Sequence, residues 1–164
     1  MSEEVRSVLV GTLGLDVTAL LAILLTLLRG HASTSRREID ATARVASVAL
    51  LLQAAHFGEE LAAGFHGRFP EMFGLAPWPL TFFLGFNLFW LVAWALAIRG
   101  LGRNSIAALF ALWFLSIGCV ANGIAHPLLA LRVAGYFPGL LTSPFAGLAG
   151  ILLFRRLWGT TART

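Results

Sequence analysis

One apolar segment of this chain carries a histidine and two adjacent glutamates, and that combination limits its fold more than any other feature. The stretch HFGEELAAGFHGRFP, residues 56–70, follows VASVALLLQAA without a break. An acidic or basic group at the centre of a bilayer costs ~2.5–3.5 kcal/mol on insertion scales, so such groups are rare there and face a bundle interior or a functional cavity. The rest of the chain has the same apolar character. Its 164 residues are 58% hydrophobic and 12% charged, with a mean hydropathy of +0.82. A soluble domain is roughly 25% charged, and here the deficit extends along the whole length.

The few charges exclude several function classes. All twelve basic residues are arginine, and they are scattered, so the net charge of +4 forms no basic stripe interleaved with aromatics. Nucleic acid is therefore not an expected partner. Cys119 stands alone in an apolar run, which rules out a disulfide framework or thiolate pair and assigns it to packing. The N-terminal MSEEVRSVLV is acidic and lacks a small-residue cleavage pattern, so it is expected to be a first spanning helix and not a removed signal.

A helix needs about 20 apolar residues to cross the hydrocarbon core. Segments 7–28, 42–65, 79–98, 105–126 and 137–157 meet that length, which predicts an all-α membrane bundle of five spans forming one domain over 1–164. The fifth segment is the weakest, since Pro138 and Pro144 lie in its first half and need Thr142 or neighbouring helices to satisfy freed carbonyls. Arginine placement sets the orientation. Nine residues (Arg29, Arg36, Arg37, Arg44, Arg99, Arg103, Arg155, Arg156, Arg163) fall on one side, and Arg6, Arg68 and Arg132 on the other. This predicts an outside N-terminus and a cytoplasmic C-terminus, with Trp78 and Tyr136 at the outer interface and Trp158 at the inner one.

In that orientation the polar residues share a depth. His56, Glu59 and Glu60 occupy the outer third of the second span, and Asn122 and His126 that of the fourth. Asp16 and Asn87 lie about eight residues into the first and third spans, or ~12 Å at 1.5 Å per residue. His56, Glu59 and Glu60 occupy an arc of about 100° on their helix, and Asn122 and His126, four apart, share a face. One interior cluster is the expected outcome. Two adjacent glutamates there need a metal, a proton or another cation for balance.

These residues resemble a known family. HFGEE at 56–60, NGIAH at 122–126 and GYFPGLLT at 135–142 are similar, in that order, to the motifs of the HXXEE family of small bacterial integral membrane proteins. The resemblance covers most of the chain from residue 42 onward and implies a shared site in a bacterial inner membrane, but no particular activity. Span one, with Asp16, lies outside it.

Several readings of the site follow. In the first, His56, Glu60 and His126 ligate a divalent metal with an open position, an arrangement that suits zinc, iron or manganese. Glu59 then serves as general base, and Asn87, Asn122 and Tyr136 contact substrate, making a hydrolase or isomerase acting on a lipid or isoprenoid. In the second, the site is metal-free. A protonated glutamate donates to an alkene, a second carboxylate takes the proton back, and Trp90, Trp94 or Trp113 steadies a carbocation. In the third, the protein is a proton-coupled transporter or an ion-binding subunit, which would need a homo-oligomer. The small-residue face Gly139, Ser143, Gly147 could serve that contact or one within the protomer. The bland alternative is a hydrogen-bond network that only holds the bundle together. The connection GRFPEMFGLAPWPL, with three prolines, reads as an amphipathic outer loop or a lid over the site. Pro127 is expected to end the fourth helix just after His126, and His31 and His66 are left outside the site.

The arginine asymmetry gives a direct test. A C-terminal fusion to a cytoplasm-dependent reporter should be active, and one to an export-dependent reporter silent. The reverse result excludes the five-span orientation.

Overall fold

The computed structural model describes residues 2–32, 35–103 and 105–162. Seven α-helices account for nearly all of them. Helix α1 (Glu3–Gly11) starts at Ser2, whose side chain accepts from the Val5 N–H, with Glu3 and Glu4 at the positive end of the helix dipole. Helix α2 (Leu13–Leu28) continues from it after a 45° bend at Thr12. Then come α3 (Arg36–Ala62), the short α4 (Phe65–Glu71), α5 (Leu80–Gly100) with a 3₁₀ turn at Leu101–Arg103, α6 (Ile106–Arg132) and α7 (Ser143–Thr160). The only strand pairing among the described residues is a two-residue antiparallel bridge between His31–Ala32 and Thr161–Ala162.

The segments Leu80–Arg103 and Ile106–Arg132 are long and apolar enough to cross a membrane, and the bent α1–α2 pair makes a third such unit. Helices α3 and α7 fall short of that measure, because α3 carries Gln53, His56, Glu59 and Glu60, and α7 carries Arg155 and Arg156. The outward faces are largely apolar. Leu20, Leu27, Leu51, Phe89, Leu131 and Leu141 are all more than 60% exposed, which water would penalise and hydrocarbon would not.

Helix α6 is the centre of the bundle. Leu109, Leu112, Trp113 and Leu115 are buried on it, with α2, α5 and α7 packed around. Its contact with α7 depends on small residues. A Cβ on Gly147 would lie 2.9 Å from the Gly123 Cα, and one on Gly150 2.7 Å from the Ser116 carbonyl oxygen. Ser116 Oγ crosses the same seam to donate to the Gly150 carbonyl at 3.0 Å. The face containing Ser143 and Gly147 is thus consumed inside the protomer. At the other end of the bundle Thr42 and Thr160 share a hydrogen bond of 2.8 Å. Arg29 lies 4.1 Å over the Trp158 ring and donates to the Trp158 carbonyl and Thr161 Oγ1.

Two expectations about element boundaries are corrected. Pro127 does not end α6, which runs on to Arg132. Proline's fixed φ is helical, so the helix continues through it without the bond that its missing N–H would make to the Gly123 carbonyl. The fifth helix does not start at 137 but at Ser143, which leaves Pro138 outside it and puts Pro144 in the first turn, where its missing N–H costs nothing. Trp78, expected at the outer interface, is buried against the protein. It is 7% exposed, packs over Gly11 and donates from Nε1 to the Ser7 carbonyl at 3.2 Å.

Gly147→Val should lower stability by about 1–3 kcal/mol, because the new side chain must displace backbone of α6. Gly159→Ala on the same helix, where an added Cβ meets no atom within 4 Å, should be neutral or gain up to ~1 kcal/mol of helix propensity. Thermal melts of the two variants in detergent test the pair; equal melts would disprove the close α6–α7 packing.

Candidate metal centre

Three of the polar residues meet at one point. His56 and Glu60 sit one turn apart on α3, and His126 faces them from α6. His56 Nε2 is 3.2 Å from His126 Nε2, and Glu60 Oε1 is 3.5 Å and 3.3 Å from these two nitrogens. His56 is fully buried, His126 is 2% exposed and Glu60 7%. The imidazoles meet edge to face, with centroids 4.5 Å apart at 89°, and Phe65 and Phe137 pack around His126.

Hydrogen bonds behind the rings fix which nitrogen faces the centre. His126 Nδ1 lies 2.6 Å from the Pro138 carbonyl oxygen. A carbonyl only accepts, so Nδ1 carries the proton and Nε2 presents a lone pair. His56 Nδ1 lies 2.9 Å from Thr142 Oγ1. That hydroxyl donates to Glu59 Oε2 at 2.6 Å, so it accepts from His56, whose Nε2 also presents a lone pair. Two nitrogen lone pairs and a carboxylate oxygen thus converge within 3.5 Å. They repel unless a cation, metal or proton, lies among them. The triangle fits an ion: a tetrahedron with ~2.05 Å bonds to nitrogen and oxygen has edges of about 3.3 Å. Described residues elsewhere offer no second group of three such ligands.

Backbone geometry closes the centre from the third side. The turn between α6 and α7 brings Gly139 onto both rings. A Cβ there would lie 2.5 Å from His126 Nδ1 and 2.7 Å from His56 Cε1, and the glycine has a φ of 88°, a left-handed conformation that suits it. The turn in turn rests on Glu59. Oε1 accepts from Tyr136 Oη at 2.8 Å and the Leu141 N–H at 3.0 Å, and Oε2 from the Thr142 N–H at 2.8 Å and Thr142 Oγ1. Partial burial, the hydrogen bond to Glu59 and that carboxylate's charge all raise the Tyr136 phenol above its ordinary pKa, with Arg68 opposing, so it stays a donor at neutral pH.

A cavity of about 220 Å³ opens beside the centre, between α2, α5 and α6. Glu60 and His126 form part of its wall, with Gln53, Asn87 and Asn122 further along and Phe82, Phe86, Trp90 and Trp94 opposite. Helix α4 and its flank cover it through Phe65, Phe69 and Trp78. Glu60 thus belongs both to the centre, through Oε1, and to the cavity wall.

The structure therefore separates the residues singled out by sequence. His56, Glu60 and His126 come together, and Asn87 and Asn122 line the adjoining cavity. Glu59 has all its acceptor directions spent on the turn, which leaves it no lone pair for a general base. Tyr136 gives its hydroxyl to Glu59 and lies outside the cavity lining. Asp16 is exposed on α2, away from the cluster. Trp113 packs against Phe154 with centroids 5.2 Å apart, on the far side of α6 from Trp90 and Trp94. Cys119 is buried as expected, and its thiol reaches Gln53 Oε1 at 3.4 Å. Sequence reasoning missed Gln53, although its place three residues before His56 and seven before Glu60 puts it on their face. It also missed the roles of Pro138, Gly139 and Thr142.

No family model, curated protein or solved structure matches the chain.

Removing parts of the Glu59 network should give graded losses. Tyr136→Phe deletes one donor and should cost about 1 kcal/mol. Glu59→Gln turns an amide donor toward groups that are themselves donors and should cost more, about 1–3 kcal/mol. Unfolding midpoints compare the two, and Glu59→Gln behaving as wild type would show that the carboxylate does not hold the turn.

Proposed function

We propose that the chain is a small intramembrane metalloenzyme, with a divalent ion held by His56 Nε2, His126 Nε2 and Glu60 Oε1 and an open position toward the aromatic cavity. The observation that carries this reading is the fixed tautomer of both histidines. Pro138 and Thr142 aim two Nε2 lone pairs at one another and at a carboxylate, and outer partners of this kind orient histidine ligands in metal sites. Zinc, iron and manganese all accept two histidines and one carboxylate. A bound ion would supply Lewis acidity and an activated water at neutral pH.

The protein's own groups set the rest of the chemistry. Glu60 Oε2 is the carboxylate oxygen placed to take or return a proton at the cavity wall. Asn87 and Asn122 stand where a substrate oxygen would need donors, and the α4 cover keeps water from the centre. A hydrolase or isomerase acting on a lipid or isoprenoid fits these parts, in a five-span bundle with an outside N-terminus in a bacterial inner membrane. Membership of the HXXEE family is proposed on the same ground. The three motifs that carry the resemblance supply His56, Glu59 and Glu60, then His126, then the Pro138–Thr142 turn, and all three meet at this centre.

Metal analysis of protein expressed with zinc, iron and manganese tests the reading. Wild type should hold one ion per chain, and His56→Ala and His126→Ala should each lose it while remaining helical. Thr142→Val should weaken the ion by roughly 10–100-fold, the usual effect of removing an outer partner. Wild type that binds none of the three metals overturns the proposal, and a single proton shared among the three side chains is then the cation.

A further inference from the structure

The wall of the cavity indicates what enters it. Beside the ligand pair it contains aromatic rings from α4 and α5, small residues of α2 and α6 such as Gly14 and Gly118, and the amides of Gln53, Asn87 and Asn122. No arginine among the described residues is part of it. A phosphate or diphosphate head would bring two or more negative charges into this space, where no described side chain is a cation and an ion at the centre would already have Glu60's carboxylate as a ligand. Such a group is costly to desolvate without a partner.

Gln53 supplies the complementary observation. It is 7% exposed, and its Oε1 accepts from both Asn122 Nδ2 at 3.3 Å and the Cys119 thiol. Gln53 is part of the cavity wall, and with Oε1 committed to these two donors its amide nitrogen is the group it can offer there. An amide donor at an otherwise apolar wall gains from a ligand oxygen. The size of the space adds a limit. An apolar cavity of about 150 Å³ stays dry and takes benzene, so ~220 Å³ takes a hydrocarbon segment half as large again.

We infer that the cavity binds a neutral lipid, a hydrocarbon chain or ring system with one hydroxyl or carbonyl oxygen, which lies between the Gln53 amide and the His56, Glu60, His126 centre. The inference narrows the substrate class of the proposed enzyme and rests on that reading for its chemistry, but the binding itself does not require the ion. Phosphorylated and diphosphate lipids are excluded from the cavity.

Tryptophan fluorescence tests it directly, since Trp78, Trp90 and Trp94 all line the space. A terminally brominated long-chain alcohol added to purified protein in detergent should quench saturably. The matching brominated alkyl phosphate should bind at least tenfold more weakly. Gly118→Leu, which fills the cavity from α6, should abolish the saturable phase, and Ala125→Leu serves if that variant does not fold. Gln53→Leu should weaken the alcohol at least fivefold and leave a brominated alkane unchanged. Quenching that is linear in probe, equal for the phosphate, or unaltered in the folded filling variant overturns the inference. Wild type measured as purified and after treatment with a chelator separates the two proposals. Saturable quenching should survive the chelator; a wild type that purifies without metal yet quenches saturably removes the metal reading alone, and bound metal without quenching removes this one alone.

Discussion

The bond from His126 Nδ1 to the Pro138 carbonyl is the constraint on which the centre depends. The turn before α7 makes that carbonyl available by using its neighbours internally: Leu140 N–H donates to Phe137 and Ser143 N–H to Gly139. Pro138's oxygen is left for the histidine. One accepting atom thereby sets the tautomer of His126, and Thr142 does the same for His56 through a hydroxyl already committed to Glu59. Neither imidazole can turn its lone pair away from the other without losing a buried hydrogen bond.

Two adjacent glutamates take opposite parts because they are 100° apart on α3. Glu60 points inward to the histidines, where its charge needs a cation. Glu59 points toward the incoming turn and satisfies four donors, which is how a carboxylate near apolar surroundings remains tolerable. The second glutamate thus holds in place the segment that holds the histidines. The glycines act at the same level: Gly139 lies flat on both rings, and Gly123 and Gly147 bring α6 and α7 close enough for the turn to reach.

Helical periodicity and hydropathy made the elements legible in the sequence. The i, i+4 spacings put His56 with Glu60, and Asn122 with His126, on one face each, and a shared depth in the two spans brought those faces together. Boundaries governed by tertiary contacts were not legible. Pro127 reads as a terminator although α6 runs through it, and Pro138 reads as a flaw in a helix when its carbonyl is the partner of His126. Glu59 and Glu60 are equivalent as letters, and only the path of the turn at 136–142 separates them. Trp78 has the composition of an interface anchor, but Gly11 provides a gap that buries it.

The parts that complete the molecule come from its final segment. Pro138, Gly139 and Thr142 orient the histidines, α7 fills the seam along α6, and the carbonyls near Trp158 receive Arg29 from the end of α2. A nascent chain that has been translated only through α6 already contains His56, Glu60 and His126, yet nothing fixes their ring orientation. The oriented cluster therefore arises in the same step that seats the last helix, and a chain truncated before residue 136 has all three side chains without the turn that orients them.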